Sequence, residues 1–103
     1  MPKAYWIARV DVHDPEVYKQ YVETAKPAFE RHKAKFLARG GRTEAVQGPA
    51  RARNVLIEFE SMEEALACWN SPEYTKARAI RGPVSTGEFV LVEGVYEHRP
   101  GKV

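Results

Sequence analysis

Apolar and polar residues alternate from Tyr5 to Val12, and the period then lengthens to four from Pro15 onward. In the first segment Trp6, Ala8, Val10 and Val12 form one apolar phase. Tyr5, Ile7, Arg9 and Asp11 form the other, which turns polar along its length. This is the pattern of a strand with one face on a core, and the apolar phase is expected to face helices. From Pro15 to about Lys33, Val17, Tyr21, Ala25 and Phe29 recur at fours, with Tyr18 and Val22 beside them. That spacing predicts a helix. Asp14 can accept bonds from its first free N–H groups, Pro15 suits the first helical position, and Glu16 complements the positive end of the dipole. Pro27 removes one hydrogen bond and crowds the preceding turn, so a kink or restart is expected there.

Two extended segments follow, Lys35 to Gln47 and Asn54 to Phe59. Gly40-Gly41 suggests a bulge in the first, with the strand resuming through Thr43-Glu44-Ala45-Val46. Gly48 to Arg53 reads as the hairpin loop. A helical stretch runs from Met62 to about Ile80, opened by a capping box in which Ser61 caps and Glu64 reaches back. Its apolar stripe is Ala65, Leu66 and Trp69. Asn70-Ser71-Pro72-Glu73 divides it and starts a second short helix through Tyr74 and Ala77, which Gly82-Pro83 ends. The last extended run is Phe89 to Tyr96. Its apolar residues lie in both phases, as expected of a strand covered on both faces. His98 to Val103 reads as a disordered tail after a single domain over residues 1–97.

The order β-α-β-β-α-β makes one antiparallel sheet with both helices on one face, an α+β architecture. Something else must cover the other face. Ile7, Leu56 and part of Phe89 to Val92 would leave a large apolar patch in water, so a two-fold homodimer is expected.

Composition narrows the partners. With 103 residues, 44% hydrophobic and 29% charged, the chain is of ordinary soluble type, and its net charge of +2 is spread without a basic block. Nucleic-acid binding is therefore not expected. One cysteine, Cys68, excludes an intramolecular disulfide and suits a reducing compartment. No signal-peptide pattern and no apolar run near the ~20 residues of a membrane span is present, so a cytoplasmic protein without a membrane partner is expected. Gly-x-Ser-x-Gly, P-loop, dinucleotide-binding glycine and CxxC motifs are all missing. No cofactor is expected.

Several stretches resemble the domain of unknown function 1330 family. They are Tyr5-Trp6-Ile7-Ala8-Arg9-Val10, Asp14-Pro15-Glu16-Val17-Tyr18 with Tyr21, and Phe36-Leu37-Ala38-Arg39-Gly40-Gly41. Glu58-Phe59, Ala65, Ser71-Pro72-Glu73-Tyr74, Arg81 and Glu93-Gly94 complete them, from about Ala4 to Val95. The resemblance implies a ferredoxin-like fold that dimerises into an α+β barrel. Related barrels include small cofactor-free monooxygenases and muconolactone isomerase, whereas the family itself carries no established activity. His32-Lys33-Ala34 is a departure, because family members often carry glycines there.

The sheet phase away from the helices carries Tyr5, Arg9, Glu58 and, by alternation, Arg39, with Glu93 a further member. One reading makes them Arg–Glu pairs fixing the dimer. The other makes them a polar pocket in which Arg9 and Arg39 bind a carboxylate or enolate and Glu58 moves a proton. His32, at the end of the first helix, is either a cation on the dipole or a general base. Tyr18 and Tyr21 either line a ligand cavity or belong to the core. A site, if present, is expected between the sheet and the first helix near Arg39, His32 and Arg9. Its expected catalytic residues are His32 and Glu58, and its ligand-binding residues Arg9, Arg39, Tyr18 and Tyr21. Asp11, His13 and Asp14 are poor metal ligands, since Asp14 has a capping role and no second histidine lies near, so no metal is expected. Two functions stay open: a cofactor-independent oxygenase- or isomerase-like enzyme for a small anionic or enolisable compound, or a non-catalytic ligand-binding or structural homodimer.

Overall fold

The structure is a computed structural model that describes residues 2–95. Its elements are β1 (Ala4–Val12), α1 (Pro15–Arg31), β2 (Lys35–Arg39), β3 (Arg53–Phe59), α2 (Met62–Trp69), α3 (Pro72–Arg81) and β4 (Ser85–Glu93). A short 3-10 turn, Gly82–Val84, joins α3 to β4. The strands form one antiparallel sheet in the order β2-β3-β1-β4, with β1 flanked by β3 and β4. This is the ferredoxin-like α+β arrangement. The expected tail and Tyr96 lie outside the described residues.

Alternation decides which way the sheet faces. Trp6, Ala8, Val10, Ile57 and Phe59 are buried on the inner face, against Ala25 and Ala28 of α1, Ala65 and Cys68 of α2, and Tyr74 and Ala77 of α3. Trp6 is the centre, with its ring 4.9 Å from Tyr74 edge-on and 5.2 Å from both Phe29 and Trp69. Large rings meeting edge-to-face build the centre of this core.

Local chemistry fixes the helices as expected at their starts. Asp14 Oδ1 accepts from the Val17 N–H, Ser61 Oγ from Glu64, and Ser71 Oγ from Tyr74. Only half of the expected box at Ser61 forms, because the Glu64 carboxylate turns to His32 instead. α1 passes Pro27 as one continuous element, so no restart occurs. It stops at Arg31 rather than Lys33. Lys33 takes φ 57°, and Ala34 donates back to Phe29 O at 2.9 Å, which closes the helix with a left-handed residue usually supplied by glycine. On α2 the stripe is turned slightly from the expected one. Ala65 and Cys68 are buried, and Leu66 is exposed.

Two strands differ from the reading of the sequence. β2 ends at Arg39, not Gln47. Gly40 adopts φ 67° and its N–H makes a last bond to Asn54 O, after which residues 41–52 leave the sheet. The bulge lies earlier than Gly40-Gly41: Phe36 pairs with Ile57 and Ala38 with Leu56, leaving Leu37 as the extra residue. β4 begins at Ser85, four residues before Phe89, and ends at Glu93. Its outer residues Val90 and Val92 are 53% and 44% exposed, so the single chain leaves that face uncovered.

Candidate functional site

Small side chains leave a gap between α1 and the sheet. Ala8, Ala25 and Ala34 stand where larger residues would close it, and a cavity of about 400 Å³ remains. Trp6, Phe36, Ile57 and Phe89 give it an apolar floor. A volume of this size suits a small organic ligand. Its polar members are Tyr18, Tyr21, Arg39 and Arg53, with exposed Glu23, Lys26 and Glu30 of α1 at the margin.

The β2 bulge brings Arg39 here. Simple alternation from inward Phe36 would send Arg39 to the outer face. The extra residue Leu37 resets the phase, Arg39 pairs with inward Val55, and its guanidinium stacks 3.5 Å over the Phe36 ring. Arg53 was assigned to a loop on sequence. It is instead the first residue of β3, opposite Val10 and in phase with Val55 and Ile57. Its guanidinium lies 5.6 Å from the Tyr18 ring, and its Nε is buried without a hydrogen-bond partner among the described residues. Gly40 permits this: a Cβ there would stand 3.3 Å from Arg53 Nη1. The in-phase series Arg53, Val55, Ile57, Phe59 was the signal that could have found it.

Tyr18 and Tyr21 are both buried, with ring centres 5.0 Å apart. Burial first, and then the neighbouring Tyr74 hydroxyl, raise the Tyr21 phenol well above its ordinary value of 10.0. It therefore stays protonated at neutral pH. The cavity's polar groups, apart from the exposed glutamates at its margin, are donors or phenols.

The sequence model of a domain of unknown function, DUF1330, matches residues 3–95. The chain belongs to that family. No curated protein matches it. Among solved structures, this DUF1330 protein is similar to a protein of unknown function from Rhodopseudomonas palustris, at 16% identity and TM-score 0.75, over 92% of this chain and 84% of that one. It is also similar to a cofactor-independent oxygenase from Streptomyces nogalater, at 14% identity and TM-score 0.64, over 99% and 100%. A dimeric ferredoxin-like protein of unknown function from Thermobifida fusca matches at 18% identity and TM-score 0.60, over 92% of each chain. At these identities the likeness is one of fold.

The DUF1330 chain separates the residues singled out on sequence. Tyr18, Tyr21 and Arg39 meet at the cavity, while Arg9, His32 and Glu58 do not line it. Arg9 lies on the outer face and donates to Pro49 O at 2.7 Å, holding the loop between β2 and β3. Glu58, also on the outer face, accepts from the Tyr5 hydroxyl at 3.4 Å. His32 is buried at the end of α1, where Nδ1 lies 2.5 Å from Glu64 Oε2 and ties α1 to α2. Asp11 and His13, also singled out on sequence, have structural partners. Asp11 accepts from Arg51 and from the Ala52 N–H, and His13 Nε2 meets Thr86 Oγ1. Cys68 is buried, and burial pushes its thiol up to about 12, so it is not a nucleophile. No cluster of three metal-ligating side chains exists among the described residues, and no helix there is long and apolar enough to cross a membrane.

Proposed function

We propose that the cavity binds a small organic anion with a flat apolar body, and that the protein is a cytoplasmic homodimer acting on it without a metal or organic cofactor. The observation that carries this reading is the pair Arg39 and Arg53. Both guanidinium groups reach one apolar cavity, and neither has a carboxylate partner among the described residues. Arg53 is half-buried, with its Nε unpartnered among the described residues, and Arg39 is exposed. A half-buried arginine without an anion is costly, and a carboxylate accepting its N–H bonds removes that cost. Donor groups around an oxyanion also favour enolisation, the step that oxygenase- and isomerase-type chemistry on such compounds would share. The fold likeness to a cofactor-independent oxygenase supports this choice of class.

Calorimetry with benzoate and its neutral analogue benzamide tests the anion site. Benzoate is expected to bind and benzamide to bind at least tenfold more weakly, the loss of one charge-assisted contact, about 1.4 kcal/mol. Arg53→Met should remove the difference. Equal binding of the two compounds would refute the anion site. The second reading, non-catalytic binding, is favoured because His32 and Glu58 do not line the cavity, so neither of the expected bases stands on its floor. Turnover of an enolisable acid, followed by proton exchange into deuterated water, separates the two.

A further inference from the structure

Beyond the cavity lining a third arginine approaches Tyr21. Arg81, in the last turn of α3, is only 8% exposed, and its Nε has no hydrogen-bond partner among the described residues. Its guanidinium stands 3.9 Å over the Phe89 ring and 5.6 Å from the Tyr21 ring, both on the cavity wall. No carboxylate pairs with it among the described residues. A fixed positive charge is thus held under the inner end of the cavity, where burial makes it act strongly. Near this charge Tyr21, which lines the cavity, shares a hydrogen bond with Tyr74, Oη to Oη at 2.9 Å. The Arg81 charge acts on both hydroxyls against the upward push of burial.

An arginine can only donate. In the free protein either phenol can donate to the other. With an acceptor oxygen in the cavity, the Tyr21 proton turns to that oxygen, Tyr74 donates to Tyr21, and the Arg81 charge acts on both hydroxyls. Each bond in such a chain polarises the next. We infer that Tyr21 is the donor to a second oxygen of the ligand, with Tyr74 and Arg81 as its positioning residues. The ligand class is then a carboxylic acid that carries a phenolate, enolate or carbonyl oxygen across an apolar body. This rests on the organic-anion reading of the cavity and adds the group at its inner end. The spacing Tyr74, Ala77, Arg81 on one face of α3 is what brings both supports to Tyr21.

The probe is 4-hydroxy-3-nitrobenzoate, whose phenol changes colour on ionising. Bound to the full chain and titrated by absorbance, its phenol is expected to ionise about one pH unit lower than in solution, a tenfold stabilisation of the phenolate. Tyr21→Phe should still bind the probe but lose most of that shift. Tyr74→Phe and Arg81→Lys should each retain part of it, and benzoate binding should stay within a factor of two in these two variants. An unchanged shift in Tyr21→Phe overturns the donor role, and an unchanged shift in Tyr74→Phe overturns the relay. Neither result touches the anion site, which fails if benzoate and the probe do not bind, bind independently of Arg53, or if benzamide binds as well as benzoate.

Discussion

At the scale of single residues, two side chains hold positions that a different residue would fill better or worse in a calculable way. Lys33 sits at φ 57° beyond the end of α1, where a side chain clashes with its own backbone. Lys33→Gly removes that clash and pays back part of the gain in unfolded-state entropy. It is expected to stabilise the fold by about 0.5–1 kcal/mol, read as a higher urea midpoint at unchanged slope. Asp11 is the second case. The Ala52 N–H, and then Arg51, hold its carboxyl below the ordinary value of 3.8. A depressed carboxyl contributes stability above its unfolded pKa and loses it as pH falls through the folded one. Asp11→Asn should therefore cost stability at pH 7 and much less at pH 2–3, so the two midpoints converge in acid. Parallel curves would show that Asp11 does not anchor the loop. The sequence exposed neither feature: φ at Lys33 follows from how α1 must turn into β2, and the partner of Asp11 is forty residues away in a loop.

At the scale of elements, β-strand phase and β-strand contact decide what the sheet presents. The helix caps and the inner phase of β1 were legible because each depends on neighbours within four residues or on strict alternation. Trp6 shows this: its phase predicted the core, and it lies at the centre of the aromatic cluster. Trp6→Ala should cost about 3–5 kcal/mol, or prevent folding, as for other fully buried rings. The bulge at Leu37 was not legible. Nothing in Phe36-Leu37-Ala38 marks it, since it arises from pairing with β3, and it moves Arg39 from the expected outer face to the cavity. Arg53 escaped for the complementary reason: the run Gly48 to Arg53 looks like loop, and only pairing with β1 extends the strand to it. Strand contact also explains Gly87, opposite Val10. A Cβ on it would lie 2.2 Å from Arg9 O, a backbone atom that cannot move without opening the β1–β4 ladder. Gly87→Ala is expected to destabilise by about 2–3 kcal/mol, seen in thermal unfolding, whereas the same change at the open position Gly41 should be nearly neutral.

At the scale of the whole molecule the outer face of the sheet bears on assembly. Register places Ala38, Leu56, Ile7 and Val90 side by side across all four strands, an apolar row perpendicular to the chain. The row beside it is polar, with Asn54, Arg9 and Glu88 aligned, and Arg51 pairs with Glu88 at its end. An apolar row bounded by charges on a face with no helix over it matches a two-fold contact in which each chain covers the other. Val90 is the most exposed large apolar residue of the row, and the inner core does not use it. Val90→Lys places a charge in the middle of the proposed contact without touching the cavity. Sedimentation at micromolar concentration should show a dimer for the wild type and a monomer for this variant, because a buried like-charge pair across a two-fold axis is strongly unfavourable. The secondary structure should be retained, since the substituted side chain faces water in the monomer. A wild type that sediments as a monomer would mean that the apolar row is tolerated in solvent. A variant that remains dimeric would place the contact on another surface.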